Sequence, residues 1–213
     1  MLELIYEAGI ATGGQEGWRY VVDRELAPER LADLERLFAP SKVLSGCWCM
    51  WFLVTSREFE QGYGGGNRAA FADLVAAADR PLGLLAYRDG EPVGWCATGP
   101  RARYGRLLRS PLLKGRDPAE DAHVWLVPCF YVRRDTRGGG VTGELLDAAV
   151  DLARAQGATA IEGVPLAGPG PHNPMEAYVG TETMFAGAGF VITGRPSPRR
   201  LLMRRDLGPV PGR

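Results

Sequence analysis

The stretch from Val124 to Gly157 constrains the fold more than any other part of the chain. It reads V-W-L-V-P-C-F-Y-V, then R-R-D-T-R-G-G-G-V-T-G, then E-L-L-D-A-A-V-D-L-A-R-A-Q-G. The first block is a continuous apolar run with β-branched and aromatic residues, which predicts a buried strand. The third is amphipathic. Glu144, Asp147, Asp151 and Arg154 share one face, and Val141, Leu145, Ala149 and Leu152 another. Gly157 stands where a helix-ending glycine belongs. The turn between strand and helix is rich in glycine and preceded by arginines. It aims the unpaired N–H groups of a first helical turn, with the helix dipole behind them, at whatever lies above. That is an anion site, and phosphate is its usual occupant.

Two kinds of phosphate ligand compete for it. Gly138, Gly140 and Gly143 spell G-x-G-x-x-G, and Glu162 ends the next strand about twenty residues on, as a dinucleotide fold requires. Three features oppose that reading. The residues Arg133 to Arg137 separate the strand from the first glycine, whereas a dinucleotide turn follows its strand tightly. The unit sits past mid-chain. After Glu162 only about fifty residues remain, too few for the further βα repeats of a doubly wound sheet.

The second reading rests on a resemblance. Val132-x-x-x-x-Arg137-Gly138-x-Gly140-Val141-Thr142, followed by Leu145-Leu146, resembles the acyl-CoA motif of the GNAT superfamily of N-acyltransferases, Q/R-x-x-G-x-G/A. Arg137, Gly140 and Thr142 fill its defined positions, and Thr142 departs from the family's Gly/Ala. Met184-Phe185-x-x-x-Gly189-Phe190 and the closing L-M-R-x-x-L resemble the family's last helix and strand pair. The W-C-x-x-x-P-R-x-x-Y run from Trp95 to Tyr104, together with C-W-C, looks like a bacterial subgroup of unassigned substrate. The resemblance implies an α/β, mixed α+β fold: a GNAT sheet of about seven strands, mostly antiparallel and twisted, with helices on both faces and strands four and five splayed.

Periodicity along the chain agrees with that order. Residues 1–17 read as a weakly ordered lead-in, and 18–213 as one domain. Trp18 to Asp23 predicts the first strand. Pro28 opens a helix whose apolar face is Leu31, Leu34, Leu37 and Phe38. Residues 40–80 read as a substrate-side segment: the apolar, cysteine-bearing run Ser45 to Val54, the glycine run of Q-G-Y-G-G-G-N, which would let it move, and a helix from Arg68 to Ala78. Leu82 to Tyr87 and Pro92 to Thr98 flank Asp89-Gly90, a hairpin signal. Thr159 to Val164 predicts strand five. A short helix follows from Thr181 to Ala188, then strands at Phe190 to Thr193 and Leu201 to Arg205.

Charge and composition exclude some classes. Lys+Arg and Asp+Glu balance at 25 each, so no basic field calls for nucleic acid. No apolar run is long enough to span a bilayer, and the acidic N-terminus lacks a basic leader. The cysteines Cys47, Cys49, Cys96 and Cys129 do not make a secreted disulfide framework, so the expected compartment is the reducing cytoplasm. Cys47 and Cys49, two apart, would share a strand face and with Cys96 and Cys129 offer four thiolates. Their spacing matches no zinc pattern, so small core hydrophobes are the expectation and no metal is predicted.

The resemblance assigns the donor: acyl-CoA, by default acetyl-CoA, held by Arg137, Gly138, Gly139, Gly140, Val141 and Thr142. The pantetheine arm would pair with the backbone of Phe130, Tyr131 and Val132. Pro128 and, on strand five, Gly163 and Pro165 are poor ladder formers, so the two strands are expected to part there. A free N–H near Cys129 or Phe130 would polarise the thioester carbonyl. The family often carries a strand-four glutamate, but the matching position here is near Leu126. Glu162 and His123 are the remaining candidate bases, Glu162 otherwise pairing with an arginine. The family's usual acid tyrosine is replaced by Phe185. Tyr178, two turns earlier if the helix extends that far, is the candidate acid. Cys47, Trp48 and Trp51, with Trp95 and Tyr104, are expected to wall an acceptor pocket for an amine with an apolar or ring body, which the aromatic faces can hold as a cation. Arg101, Arg103, Tyr104 and Arg106 form a basic segment open to an acidic substrate or the 3′-phosphate of CoA.

The expected activity is transfer of an acyl group to a primary amine of a small molecule, by direct attack in a ternary complex. No long groove for a peptide or nucleic acid is legible. The expected state is a monomer or homodimer. The missing glutamate and tyrosine leave a non-catalytic acyl-CoA-binding domain as the alternative.

Overall fold

The computed structural model describes residues 20–168, 173 and 176–208. The lead-in expected over 1–17, Trp18, and most of the loop after Gly168 lie outside the described residues. Seven strands form one sheet: β1 (Tyr20–Glu25), β2 (Gly83–Arg88), β3 (Glu91–Pro100), β4 (Val124–Val132), β5 (Ala160–Gly163), β6 (Val191–Ser197) and β7 (Arg200–Asp206). Their spatial order is β1-β2-β3-β4-β5-β7-β6. Only β4 and β5 pair in parallel; the other neighbours are antiparallel. The helices are α1 (Leu31–Phe38), α2 (Leu44–Cys47), α3 (Ser56–Gly62), α4 (Gly65–Ala77), α5 (Gly105–Leu108), α6 (Val141–Ala155) and α7 (Glu182–Gly187), joined in places by short 3₁₀ turns. This is the mixed, helix-flanked sheet that the sequence led us to expect.

Side-chain alternation divides the core between the two faces of the sheet. Leu84, Ala86, Val93 and Cys96 pack on the α6 side with Leu145, Leu146, Ala149 and Val150. Leu85, Trp95 and Ala97 pack on the other side with Leu34, Phe38, Phe71 and Val75 from α1 and α4. Helix α6 lies close to the sheet at Gly94, where a Cβ would meet Leu145 at 3.0 Å and Val141 at 3.1 Å. Asp89 and Gly90 both have positive φ (52° and 81°), the twist a two-residue hairpin needs between β2 and β3.

Strand β4 interrupts the alternation. Ala97 pairs with Cys129 and Gly99 with Leu126, so one residue of β3 faces both Val127 and Pro128. Proline has no N–H to give the ladder, and a bulge accommodates it. The extra residue reverses the phase. Trp125 and Val127 face the α6 side, Cys129 faces the opposite side, and Phe130 and Val132 return to the α6 side.

The bulge is also where β5 leaves. Pairing with β4 covers only Val124 to Val127, opposite Ala160 to Gly163. Beyond it the end of β4, from Pro128 to Val132, keeps β3 as a neighbour but has lost β5. Phe185 of α7 fills the base of the opening. It is fully buried, meets Phe130 and Phe190 edge-on, and leaves so little room that a Cβ at Gly163 would stand 2.1 Å from its ring. Gly163→Ala is therefore expected to cost about 1–3 kcal/mol through overpacking, read as a lowered thermal midpoint.

Candidate active site

A cavity of about 710 Å3 opens at the free end of β4. Its floor is Cys129, Phe130, Tyr131 and Val132, the four residues beyond the bulge. One side is the loop into α6: Thr136, Arg137, Gly138, Gly140, Val141 and Thr142. The loop is fixed from within. The Arg137 Nε donates to the Val132 carbonyl (3.0 Å), and the Thr136 hydroxyl donates to the Arg133 carbonyl (2.9 Å). Gly138 and Gly140 have φ of 84° and 85°, values that side-chain-bearing residues rarely adopt, and a Cβ on either would meet nothing within 4 Å. Gly140 caps α6 without any side-chain hydrogen bond. A fifteen-residue helix thus presents an uncapped N-terminus to the cavity across bare glycine backbone, an arrangement that attracts phosphate. Eight of the nine residues expected to hold the cofactor line this cavity; Gly139 does not.

The opposite wall comes from the segment between α1 and α4. Val43, Leu44, Cys47, Trp51, Phe52, Phe59 and Tyr63 line it, with Ser41 at its edge. The C-W-C run is not a strand. It joins α2 to a 3₁₀ turn (Met50–Phe52) through two consecutive left-handed residues, Trp48 (φ 49°) and Cys49 (φ 56°). Left-handed conformations cost about 1–2 kcal/mol each for residues with a Cβ, and the core offsets this. Trp48 packs against Phe38 and Phe71 and donates its indole N–H to the Ser45 carbonyl (3.1 Å). Cys49 accepts the Trp95 indole N–H (3.3 Å). The turn sends Trp48 and Cys49 inward and leaves Cys47 and Trp51 facing the cavity. The glycine run that follows is no hinge, because Gly65 and Gly66 begin α4.

Of the five residues expected to wall an acceptor pocket, then, Cys47 and Trp51 reach the cavity. Trp48, Trp95 and Tyr104 are buried in the core behind it. Phe59 and Tyr63 were missed. Their i, i+4 spacing at α3 puts both rings on one side, and the rings of Trp51, Phe59 and Tyr63 form an edge-on series with centroids 5.2 and 5.8 Å apart.

Tyr178 reaches the cavity by a route other than the expected one. Helix α7 starts only at Glu182; Tyr178 belongs to a separate 3₁₀ turn (Ala177–Val179) ended by Gly180 at φ 77°. Its hydroxyl is held above the ordinary tyrosine range by burial. The two candidate bases are not in the cavity lining. Glu162 is buried within β5, where its carboxylate accepts from Arg101 Nη1 (2.8 Å) and Arg204 Nη1 (3.3 Å). Arg101 is itself fully buried and also bonds Asp121 (2.7 Å) and the Asp117 carbonyl (2.7 Å). His123 is exposed just before β4, its carbonyl accepting from the Thr159 N–H (2.9 Å). In the basic segment, Arg103 donates to the carbonyls of Pro81 and Arg80, and the Arg106 guanidinium lies 3.7 Å from the centre of the Trp51 ring.

The four cysteines are all free, and two of them, Cys47 and Cys129, line the cavity. Cys49 is held below the usual thiol range, because the Cys129 thiol and the Trp95 indole donate to it against the effect of burial. Cys129, having given its proton to that bond and being buried, is pushed well up. Burial also raises Cys96 and lifts Cys47 to about 11, with help from Cys49. Among the described residues no group of three or more His, Cys, Asp or Glu side chains is arranged to hold a metal. No described helix is long and apolar enough to cross a membrane.

Comparison with known proteins places this geometry. Residues 48–165, more than half of the chain, match the profile of the acetyltransferase (GNAT) family. A search of curated protein sequences finds no match. Among solved structures, a GNAT-family acetyltransferase from Listeria monocytogenes 4b F2365 superposes with a TM-score of 0.58 at 14% identity, over 93% of this chain and 100% of that one. One from Streptococcus pneumoniae gives 0.54 at 18%, over 89% and 99%. The ribosomal-protein-alanine N-acetyltransferase of Brucella melitensis gives 0.52 at 20%, over 88% and 99%. At such identities the likeness is one of fold. The family profile spans the bulged strand, the glycine loop and α6, which form the floor and one side of the cavity, and on that match the chain belongs to the GNAT acetyltransferase family.

Proposed function

We propose that the protein transfers an acyl group, acetyl by default, from acyl-CoA to a primary amine of a small molecule by direct attack in a ternary complex. The observation that carries this reading is continuity. One cavity runs from the uncapped N-terminus of α6, across the free end of β4, to the aromatic wall of residues 43–63. In the proposed arrangement the pyrophosphate sits on the Arg137–Thr142 loop. The pantetheine amides pair with β4 backbone that β5 no longer covers. A backbone N–H at Cys129 or Phe130, preset by the bulge, polarises the thioester carbonyl. The acceptor enters along the aromatic wall.

Tyr178 is the proposed acid for the departing thiolate. Its hydroxyl, raised above the ordinary tyrosine value, is protonated at neutral pH, the state an acid requires. Its raised value sets the sign of the pH effect: kcat is lost only as pH climbs past the ordinary tyrosine value of 10.0. Tyr178→Phe is expected to lower kcat by about 10²-fold, with acetyl-CoA affinity unchanged by calorimetry and the alkaline limb abolished. An unaltered kcat would leave sulfur protonation to solvent.

The second reading, a non-catalytic acyl-CoA-binding domain, draws on the lack of any carboxylate among the described cavity-lining residues. Thiol release from acetyl-CoA on addition of a panel of amines separates the two. Binding without release across the panel favours the sensor.

A further inference from the structure

We propose that the acceptor is a weakly basic aromatic amine that enters the cavity already neutral, because the site excludes the ammonium form. This rests on the transferase reading above and concerns the acceptor half of the same cavity. That half is built from Val43, Leu44, Trp51, Phe52, Phe59 and Tyr63. An alkylammonium placed there would find no opposite charge in the described lining. The described lining of the whole cavity contains no Asp, Glu, His or Lys, and its one formal charge is the cation Arg137.

Cation–π contact does not repair the deficit. The Trp51 face, the largest aromatic surface on that wall, already carries the Arg106 guanidinium at 3.7 Å. A second cation beside that ring meets like charge. Three acids outside the lining are committed elsewhere. The Glu58 carboxylate accepts from the Thr55 N–H and hydroxyl, Glu176 is paired with Arg199, and Glu162 is bound between two arginines. Glu60 of α3 does not line the cavity.

Nor does the described cavity offer a base. Cys47, at about 11, and Tyr178, held above its ordinary range, are both protonated at neutral pH. An alkylamine with a pKa like that of lysine, about 10.4, would present roughly one neutral molecule in two thousand or more at pH 7. An arylamine is neutral there and needs no base before attack. Its ring also suits the edge-on aromatic series of Trp51, Phe59 and Tyr63. The reaction balances without a further reactant. The amine lone pair forms the C–N bond, the C–S bond breaks, Tyr178 gives its proton to the thiolate sulfur, and the proton lost by nitrogen restores the tyrosine.

The test compares aniline with benzylamine, which differ by one methylene, using the purified full-length protein, acetyl-CoA and thiol release. Aniline is expected to have a kcat/KM at least tenfold higher at about pH 7, with no slope as pH rises to about 9. Benzylamine should gain about tenfold per pH unit toward its own pKa. Benzylamine matching or exceeding aniline at neutral pH overturns the inference, as does a benzylamine profile without that slope, which would reveal a base in the site. Acetyl-CoA bound by calorimetry with neither amine acylated also overturns it. Absence of acetyl-CoA binding instead removes the transferase reading and the inference with it.

Discussion

Arg101→Met is expected to lower the unfolding free energy by about 3–5 kcal/mol, the cost of removing one partner from a buried charge pair. Arg101 is completely buried and its guanidinium joins three parts of the fold: Glu162 on β5, Asp121 just before β4, and the Asp117 carbonyl in the connection between β3 and β4. Methionine fills a similar volume, so the loss is electrostatic and hydrogen-bonding rather than a cavity. Urea unfolding of the two proteins measures it. Glu162 would keep Arg204 at 3.3 Å, and Asp121 would keep Arg116 at 3.2 Å, which favours the lower end of the range. Glu162→Gln, read in the same way, should destabilise without a loss of kcat on the scale of general-base removal, because its carboxylate lies outside the cavity lining. A kcat lowered by about 10²-fold or more with stability retained would restore Glu162 as the base.

Gly140→Asp is expected to weaken acetyl-CoA binding at least a hundredfold while the fold survives. A Cβ at Gly140 has open space around it, so the substitution begins without a clash at that atom. It projects a negative charge beside the N-terminus of α6, where the proposed pyrophosphate approaches. The backbone contribution can be separated. Gly140→Asn bears the same cost at a φ of 85°, since Asn and Asp both tolerate the left-handed region, but adds no charge. Calorimetry should therefore show Asp far weaker than Asn. Equal affinities for wild type and Asp would remove the phosphate from this loop.

Strand β4 was legible with both its ends, Val124 and Val132, because a continuous apolar run bounded by polar residues leaves one economical interpretation. Pro128 pointed to an edge or a bulge, since a residue without an N–H cannot sit in a central ladder; the structure has the bulge. The acceptor wall was only partly legible. Trp48 and Trp51 have the same chemistry in sequence, and which one faces the cavity depends on two left-handed residues that carry side chains, for which no local signal exists. Trp95 was misplaced for a related reason. Its alternation along β3 puts it on the α1 side of the sheet, where Phe38, Phe71 and Cys49 enclose it. Glu162 is open in sequence to two roles, a base or an arginine partner. The arginine that binds it lies 61 residues away in sequence, and only the folded sheet brings the two together. Tyr178 reached the cavity although the helix expected to carry it stops short, because Gly180 turns the chain before α7 begins.

The paired left-handed turn at Trp48 and Cys49 has a consequence for selectivity. The residues that face the cavity, Cys47 and Trp51, flank Trp48 and Cys49, which are anchored among Phe38, Phe71 and Trp95. The base of the wall is thus tied to the hydrophobic core and shares the core's low compressibility. An acceptor one methylene too wide would press on close-packed protein rather than displace a yielding loop. The site should behave as a fixed gauge, steep in its response to ligand width. Substitutions at Phe38 or Phe71, which do not line the cavity, would be the means of resetting it.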